Sequence, residues 1–259
     1  MSFSIPGYIG RQTFRSANHI LNLFAFGYRI TRIFLRPVKG DKTHLRRVVL
    51  EQIYFSCIKA LPIIIPASLL IGAMLIAYFS KVPEEYALGR VAVLLIIREI
   101  GPVVTALLII LHSATALTIE VCSMCGPNDF QIHKSTGIDL MKEVCFPRVV
   151  GVIAATLCLF IVFDLTAILG GYAVVWAVSY LSVGGFLTQV SKAVMLLDIT
   201  VGVIKALFFG IIISIICLYQ GLSVKTRDTD ISKAASQAAV QCFIYCLIAN
   251  VAISVVFYW

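Results

Sequence analysis

Long apolar runs separated by short polar stretches set the layout of this chain. The runs cover roughly Ile53 to Phe79, Val91 to Ile119, Val149 to Val178, Ile199 to Leu222 and Ala238 to Trp259. Each reaches the roughly 20 residues a helix needs to cross the hydrocarbon of a bilayer. None shows the short alternating segments of a membrane β-barrel. The pattern predicts an all-α integral membrane protein with about five transmembrane helices in one domain over 1–259. Ahead of the spans, over 11–36, Phe14, Ala17, Leu21, Phe24 and Tyr28 recur at helical spacing among Arg15, Arg29, Arg32 and Arg36. That reads as an amphipathic helix lying in the interface, with its basic side chains toward anionic headgroups.

Composition strengthens this picture: 60% of the 259 residues are hydrophobic and only 13% are charged, where a soluble domain has about a quarter charged. The net charge of +8 does not point to nucleic acid, because the basic residues are clustered. Arg11, Arg15, Arg29, Arg32, Arg36, Lys39, Lys42, Arg46 and Arg47 all precede residue 51, beside the single acid Asp41. By the positive-inside rule the N-terminus is cytoplasmic. Alternation then makes Glu120 to Arg148 a cytoplasmic segment and places the C-terminus outside. No signal-peptide cleavage pattern is read at the start. Lys59, near the cytoplasmic end of the first span, can snorkel to the interface, and Pro62 and Pro66 should bend that span.

Several chemistries find no support. The eight cysteines fall mostly in apolar runs, where a thiol behaves as a small hydrophobe. Cys122 and Cys125 have CxxC spacing without a second pair or a histidine cluster to complete a metal site. Phosphate-loop, HExxH and GxSxG motifs are absent from the sequence. A transporter, a channel or a structural membrane subunit remains, rather than an enzyme.

The second span carries the densest polar pattern. On a straight helix, residues seven apart nearly align, giving one stripe of Arg98, Thr105 and His112 and another of Glu99, Ala106, Ser113 and Glu120. Glu99 and Glu120 would lie about 32 Å apart along the axis, so a polar seam joins the two interfaces. Ser113, Ala114 and Ala116 permit close helix approach on this side. The same seam is also what an interhelical packing face would look like. Asp164 and Lys205 are further ionisable groups inside spans, a placement costly enough to mark function by default.

REIGPVVTALLI followed by HSATALTIEVCSM resembles the RELGPVxxALL…GRxGSAxxAExGxM signature of the MlaE/YrbE permeases, membrane subunits of phospholipid ABC transporters associated with MCE-domain proteins. Asp164 with Gly170 and Gly171 resembles that family's DLxGxxGG, and Lys205, Phe209-Gly210 and Cys217 to Gly221 resemble its KxxxFGxxIxxxxCYxG. The chain departs where Leu111-His112-Ser113-Ala114 replaces Gly-Arg-x-Gly, in the degraded stretch Asp228 to Val240, and at Asn250, where the family commonly has Asp. It is identified as a divergent member.

The resemblance implies a homodimeric permease with the second and fifth spans lining a cavity. Arg98, Glu99, Thr105, His112 and Asn250 are then the expected lipid-binding positions, with Arg98 suited to pair bidentately with a phosphate. ABC ATPase subunits, holding ATP and Mg, would dock on 120–148, where Asn128, Asp129, Ile132, His133 and Asp139 are the expected coupling residues. The chain itself is expected to hold no cofactor or metal, to bind no nucleic acid, and to sit in the bacterial inner membrane beneath an MCE-domain partner. The rival reading is an ATP-independent carrier or scramblase using Asp164 and Lys205 as an intramembrane charge pair, or a structural subunit.

Overall fold

The computed structural model describes residues 21–30, 32, 42–80, 93–124, 145–179, 188, 194–223 and 228–258. Among them are five helices long and apolar enough to cross a membrane, over Leu45–Tyr78, Val93–Met124, Phe146–Ala177, Leu196–Ser223 and Asp230–Phe257. No strand occurs among the described residues. The chain is an all-α membrane protein. The helices run past several of the expected span ends, because i→i−4 hydrogen bonding continues through polar residues that hydropathy excludes. Residues 21–30 of the expected interfacial segment are helical. The expected coupling residues Asn128, Asp129, Ile132, His133 and Asp139 lie outside the described residues.

The first span is two helices, α1 (Lys42–Ser56) and α2 (Leu61–Ser80), joined by a 3-10 turn at Ile58–Ala60. Pro62 cannot donate a backbone hydrogen bond, and the chain tightens just ahead of it. Pro66 is accommodated inside α2. The second span comprises a π-turn (Ile96–Ile100), α3 (Gly101–Ile109), a second π-turn (Ile110–Ala114) and α4 (Thr115–Met124). The remaining spans are the unbroken helices α5 (Phe146–Ser179), α6 (Leu196–Ser223) and α7 (Asp228–Tyr258).

Packing places α5 and α6 at the centre. α2 lies along α5 at backbone distance: a Cβ on Gly72 would collide with the Ala167 backbone, and one on Gly170 would collide with that of Leu69. Within lipid there is little hydrophobic drive between helices, so such close small-residue contact supplies the attraction. α6 contacts α5, α7 and the second span, and its apolar window is 61% buried against 11% for that of α7. Phe160, Phe163, Phe209, Ile213, Ile96 and Ile109 fill the space between these helices. α7 therefore presents most of its apolar surface outward, including Ile248, Val251 and Val256.

Candidate functional site

Gly101-Pro102 ends the first π-turn of the second span and starts α3. Pro102 has no N–H, so the carbonyl of Arg98, four residues earlier, loses its helical donor. In a membrane interior such a carbonyl needs another partner. The ammonium of Lys205 on α6 supplies it, donating to Arg98 O at 2.7 Å. Gly202, one turn earlier on α6, allows this approach, since a Cβ there would lie 3.2 Å from the Ile97 carbonyl.

Lys205 is completely buried. It also donates to Glu99 Oε1 at 2.8 Å and to Ser254 Oγ on α7 at 2.7 Å, so its three N–H groups have three acceptors. Ser254 Oγ donates onward to Glu99 Oε1 at 2.8 Å, and Asn250 Nδ2 donates to Glu99 Oε2 at 2.9 Å. One carboxylate thus gathers the second span, α6 and α7. Burying a cation is tolerable only with this degree of pairing and hydrogen bonding.

Arg98 points to a different partner. Its Nε donates to Asp198 Oδ1 at 2.6 Å, and its Nη2 approaches the same oxygen. Asp198 is in the first turn of α6, and its Oδ2 accepts the Met195 N–H at 2.9 Å. A carboxylate reaching back to the start of its helix satisfies an orphan donor and suits the positive end of the helix dipole. The Asp198 side chain is 1% exposed, whereas that of Arg98 is 31% exposed. The Arg98 side chain is therefore anchored at Asp198 and partly exposed.

Of the expected lipid-binding residues, Arg98, Glu99 and Asn250 come together here. Thr105 does not join them. It is buried, and its hydroxyl donates to the Gly101 carbonyl of its own helix at 2.6 Å. His112 lies in the second π-turn, with Nδ1 3.2 Å from Ser113 Oγ and its ring 5.7 Å from that of Phe55. The straight stripe of Arg98, Thr105 and His112 is broken because each π-turn takes about one more residue per turn than an α-helix.

The charge pair expected between Asp164 and Lys205 is not formed. Glu99, the Arg98 carbonyl and Ser254 use all the donors of Lys205. Asp164 Oδ1 instead abuts Gly101 and has no hydrogen-bond partner among the described residues.

Asp198 and Ser254 were not anticipated as site residues. Asp198 could have been found as an acidic residue opening an apolar helix, and Ser254 as the i+4 neighbour of Asn250 on one helix face.

Two features flank the cluster. A small apolar gap of about 10 Å³, lined by Val103, Leu107, Ile110, Phe209, Phe243 and Leu247, lies between the second span, α6 and α7. At the far end of the second span, the largely buried Arg148 of α5 donates from Nη2 to Glu120 Oε1 at 2.8 Å. That ion pair ties together the helices on either side of residues 125–144. No group of three or more His, Cys, Asp or Glu among the described residues is arranged to hold a metal.

The arrangement is a charged, donor-rich cluster within a bundle of apolar helices. Relatives of this chain include a probable ABC transporter permease protein of Rickettsia conorii, 27% identical over 100% of this chain and 99% of that one. The intermembrane phospholipid transport system permease protein MlaE of Haemophilus influenzae is 28% identical over 74% of this chain and 76% of that protein. The chloroplastic protein TRIGALACTOSYLDIACYLGLYCEROL 1 of Arabidopsis thaliana is 23% identical over 88% of this chain and 65% of that protein. The family model for Permease MlaE matches residues 49–256. With that match running from α1 to the end of α7, the chain belongs to the MlaE permease family.

Proposed function

We propose that this chain is the membrane subunit of an ABC transporter that moves phospholipid between the inner membrane and an MCE-domain partner, with ATP hydrolysed by separate subunits. The observation that carries this reading is the partly exposed Arg98 side chain, anchored by Asp198 beside the Glu99–Lys205 cluster. A phospholipid needs a donor fork for its phosphate, which Arg98 offers, and an apolar surface for its chains, which the exposed side chains of the spans offer. The name of the Haemophilus relative agrees with that substrate class.

In this reading Arg98 meets the headgroup, while Glu99, Lys205, Asn250 and Ser254 hold the second span against α6 and α7. Two copies pair through the outward faces that α7 leaves uncovered. ATPase subunits with ATP and Mg dock on 120–148, using Asn128, Asp129, Ile132, His133 and Asp139. The N-terminus is cytoplasmic and the C-terminus external, in a bacterial inner membrane.

The test is reconstitution of this chain with its ATPase partner in liposomes carrying a fluorescent phospholipid. ATP-dependent lipid movement, together with loss of ATPase co-purification when residues 129–139 are scrambled, is the expected result. Lipid movement by this chain alone would overturn the ABC reading in favour of an ATP-independent carrier.

A further inference from the structure

The cations along the second span and its neighbours are matched with carboxylates: Arg98 with Asp198, Lys205 with Glu99, and Arg148 with Glu120. Lys59 is not matched among the described residues. It is exposed, and its ammonium lies 4.8 Å from the centroid of the Phe55 ring. On the same ring, His112 sits at a centroid distance of 5.7 Å. Its Nδ1 is engaged by Ser113 Oγ, and its Nε2 has no partner among the described residues. An ammonium and an imidazole from two different spans thus border one half-buried aromatic ring, and neither is paired with an acid among the described residues.

Depth distinguishes this pair from the Arg98 cluster. α2 is 20 residues long, about 30 Å or one hydrocarbon thickness. α1 carries Arg46, Arg47 and Glu51, so its start is too polar to lie in that layer. Lys59, in the turn between them, lies toward the N-terminal side of the span, from where its ammonium can snorkel to the headgroups. His112 is fourteen positions along the second span from Arg98, roughly 20 Å away along the axis.

From this we propose a second headgroup site: Lys59 and His112, bridged by Phe55, bind the phosphate diester of a phospholipid at the interface of the leaflet that α1 enters. The proposal rests on the reading of this chain as a phospholipid permease and adds a station well separated from Arg98. Lys59 supplies a mobile point charge and His112 a directed N–H. Phe55 keeps water from one side of the ammonium and accepts it over its face. A phosphate held there leaves its acyl chains alongside the exposed Leu111 and Ile58, in the direction of the hydrocarbon.

The experiment is native mass spectrometry of the full-length chain in detergent, titrated with phosphatidylglycerol. A Lys59→Gln/His112→Gln variant is compared with a Lys59→Arg/His112→Arg variant, which keeps cationic N–H donors at both positions. Removing two charge-assisted contacts to phosphate is expected to weaken retention by at least about tenfold, with the arginine variant restoring it. A diacyl glycolipid without phosphate should bind the wild type no better than the glutamine variant. Equal retention by the wild type and the glutamine variant would overturn the site and leave Lys59 as a snorkelling side chain. Displacement by inorganic phosphate as effective as by phosphatidylglycerol would overturn the lipid assignment. Lipid retention is read without transport, so failure of the Arg98 reading, seen as unimpaired ATP-driven movement in Arg98→Ala, is a separate result.

Discussion

Lys205 donates to the carbonyl of Arg98 at 2.7 Å, and that carbonyl is the one Pro102 leaves without a helical donor. The contact joins a local feature of the second span to a side chain more than one hundred residues later. It also explains why a lysine is tolerated at 0% exposure inside a membrane bundle. The proline creates an acceptor, Glu99 adjoins it with a charge, and Ser254 completes the shell.

Replacing Pro102 with alanine returns an N–H that competes for the Arg98 carbonyl. The π-turn should relax toward regular helix, rotating Arg98 and Glu99 relative to α6. Pro102→Ala is expected to keep the protein folded, within about 1–2 kcal/mol of the wild type, because helix propensity gained offsets the lost contact. ATP-driven lipid movement should nevertheless fall several-fold. Thermal unfolding in detergent and the reconstituted transport assay check the two halves.

Removing only one member of the Glu99–Lys205 pair strands the other. Glu99→Leu leaves an ammonium buried with neutral acceptors, and a loss of about 3–5 kcal/mol is expected. Glu99→Leu/Lys205→Met removes both charges and should recover much of that stability, while the Arg98 carbonyl remains unsatisfied. Chemical unfolding of the single and double variants measures the difference. A double variant no more stable than Glu99→Leu would contradict the pairing.

Arg98 and Asp198 should behave asymmetrically for the same reason. Arg98 is partly accessible, but Asp198 is buried at the start of α6. Arg98→Ala is expected to destabilise by roughly 2–4 kcal/mol through the stranded carboxylate, and Arg98→Ala/Asp198→Asn by less. Both variants should lose headgroup binding at the Arg98 cluster and keep that at Lys59 and His112. Melting temperatures separate the variants, and lipid retention groups them.

Gly72 faces the Ala167 backbone, which no side-chain rotation can move aside. Gly72→Ala is therefore expected to part α2 from α5 locally and to cost at least about 2 kcal/mol. Ala77→Gly, elsewhere on α2, should have a smaller effect, close to the 1 kcal/mol of helix propensity. The yield of monodisperse protein after extraction, together with thermal unfolding, reports both.

Glu120 and Arg148 tie together the helices around residues 125–144. Glu120 is nearly half exposed but Arg148 is buried, so Glu120→Ala leaves a buried guanidinium without its carboxylate and should cost roughly 2–4 kcal/mol of stability. A tie that transmits force has a different signature from one that only adds stability. With the ATPase partner present, Glu120→Ala is expected to hydrolyse ATP at near the normal rate while moving less lipid per ATP. Parallel phosphate-release and lipid-transfer measurements give that ratio.

Much of this molecule was legible before folding was considered. Spanning helices follow from the length of apolar runs, because a bilayer forces every backbone group to be satisfied within its own helix. Arg98, Glu99 and Lys205 stood out because charges are rare at that depth, Asn250 stood out only through the family resemblance, and the spaced motifs carried the family. The partners of these residues were not legible. Two π-turns broke the straight Arg98–Thr105–His112 stripe, turning Thr105 into the core, and a heptad count has no means of seeing them. Lys205 meets Glu99 rather than Asp164 because Gly202 lets α6 approach the second span where Pro102 has freed a carbonyl. Local pattern determines which segments are helices and which polar groups are costly to bury. The pairing that makes such burial affordable depends on how three helices cross, and only the tertiary structure decides that.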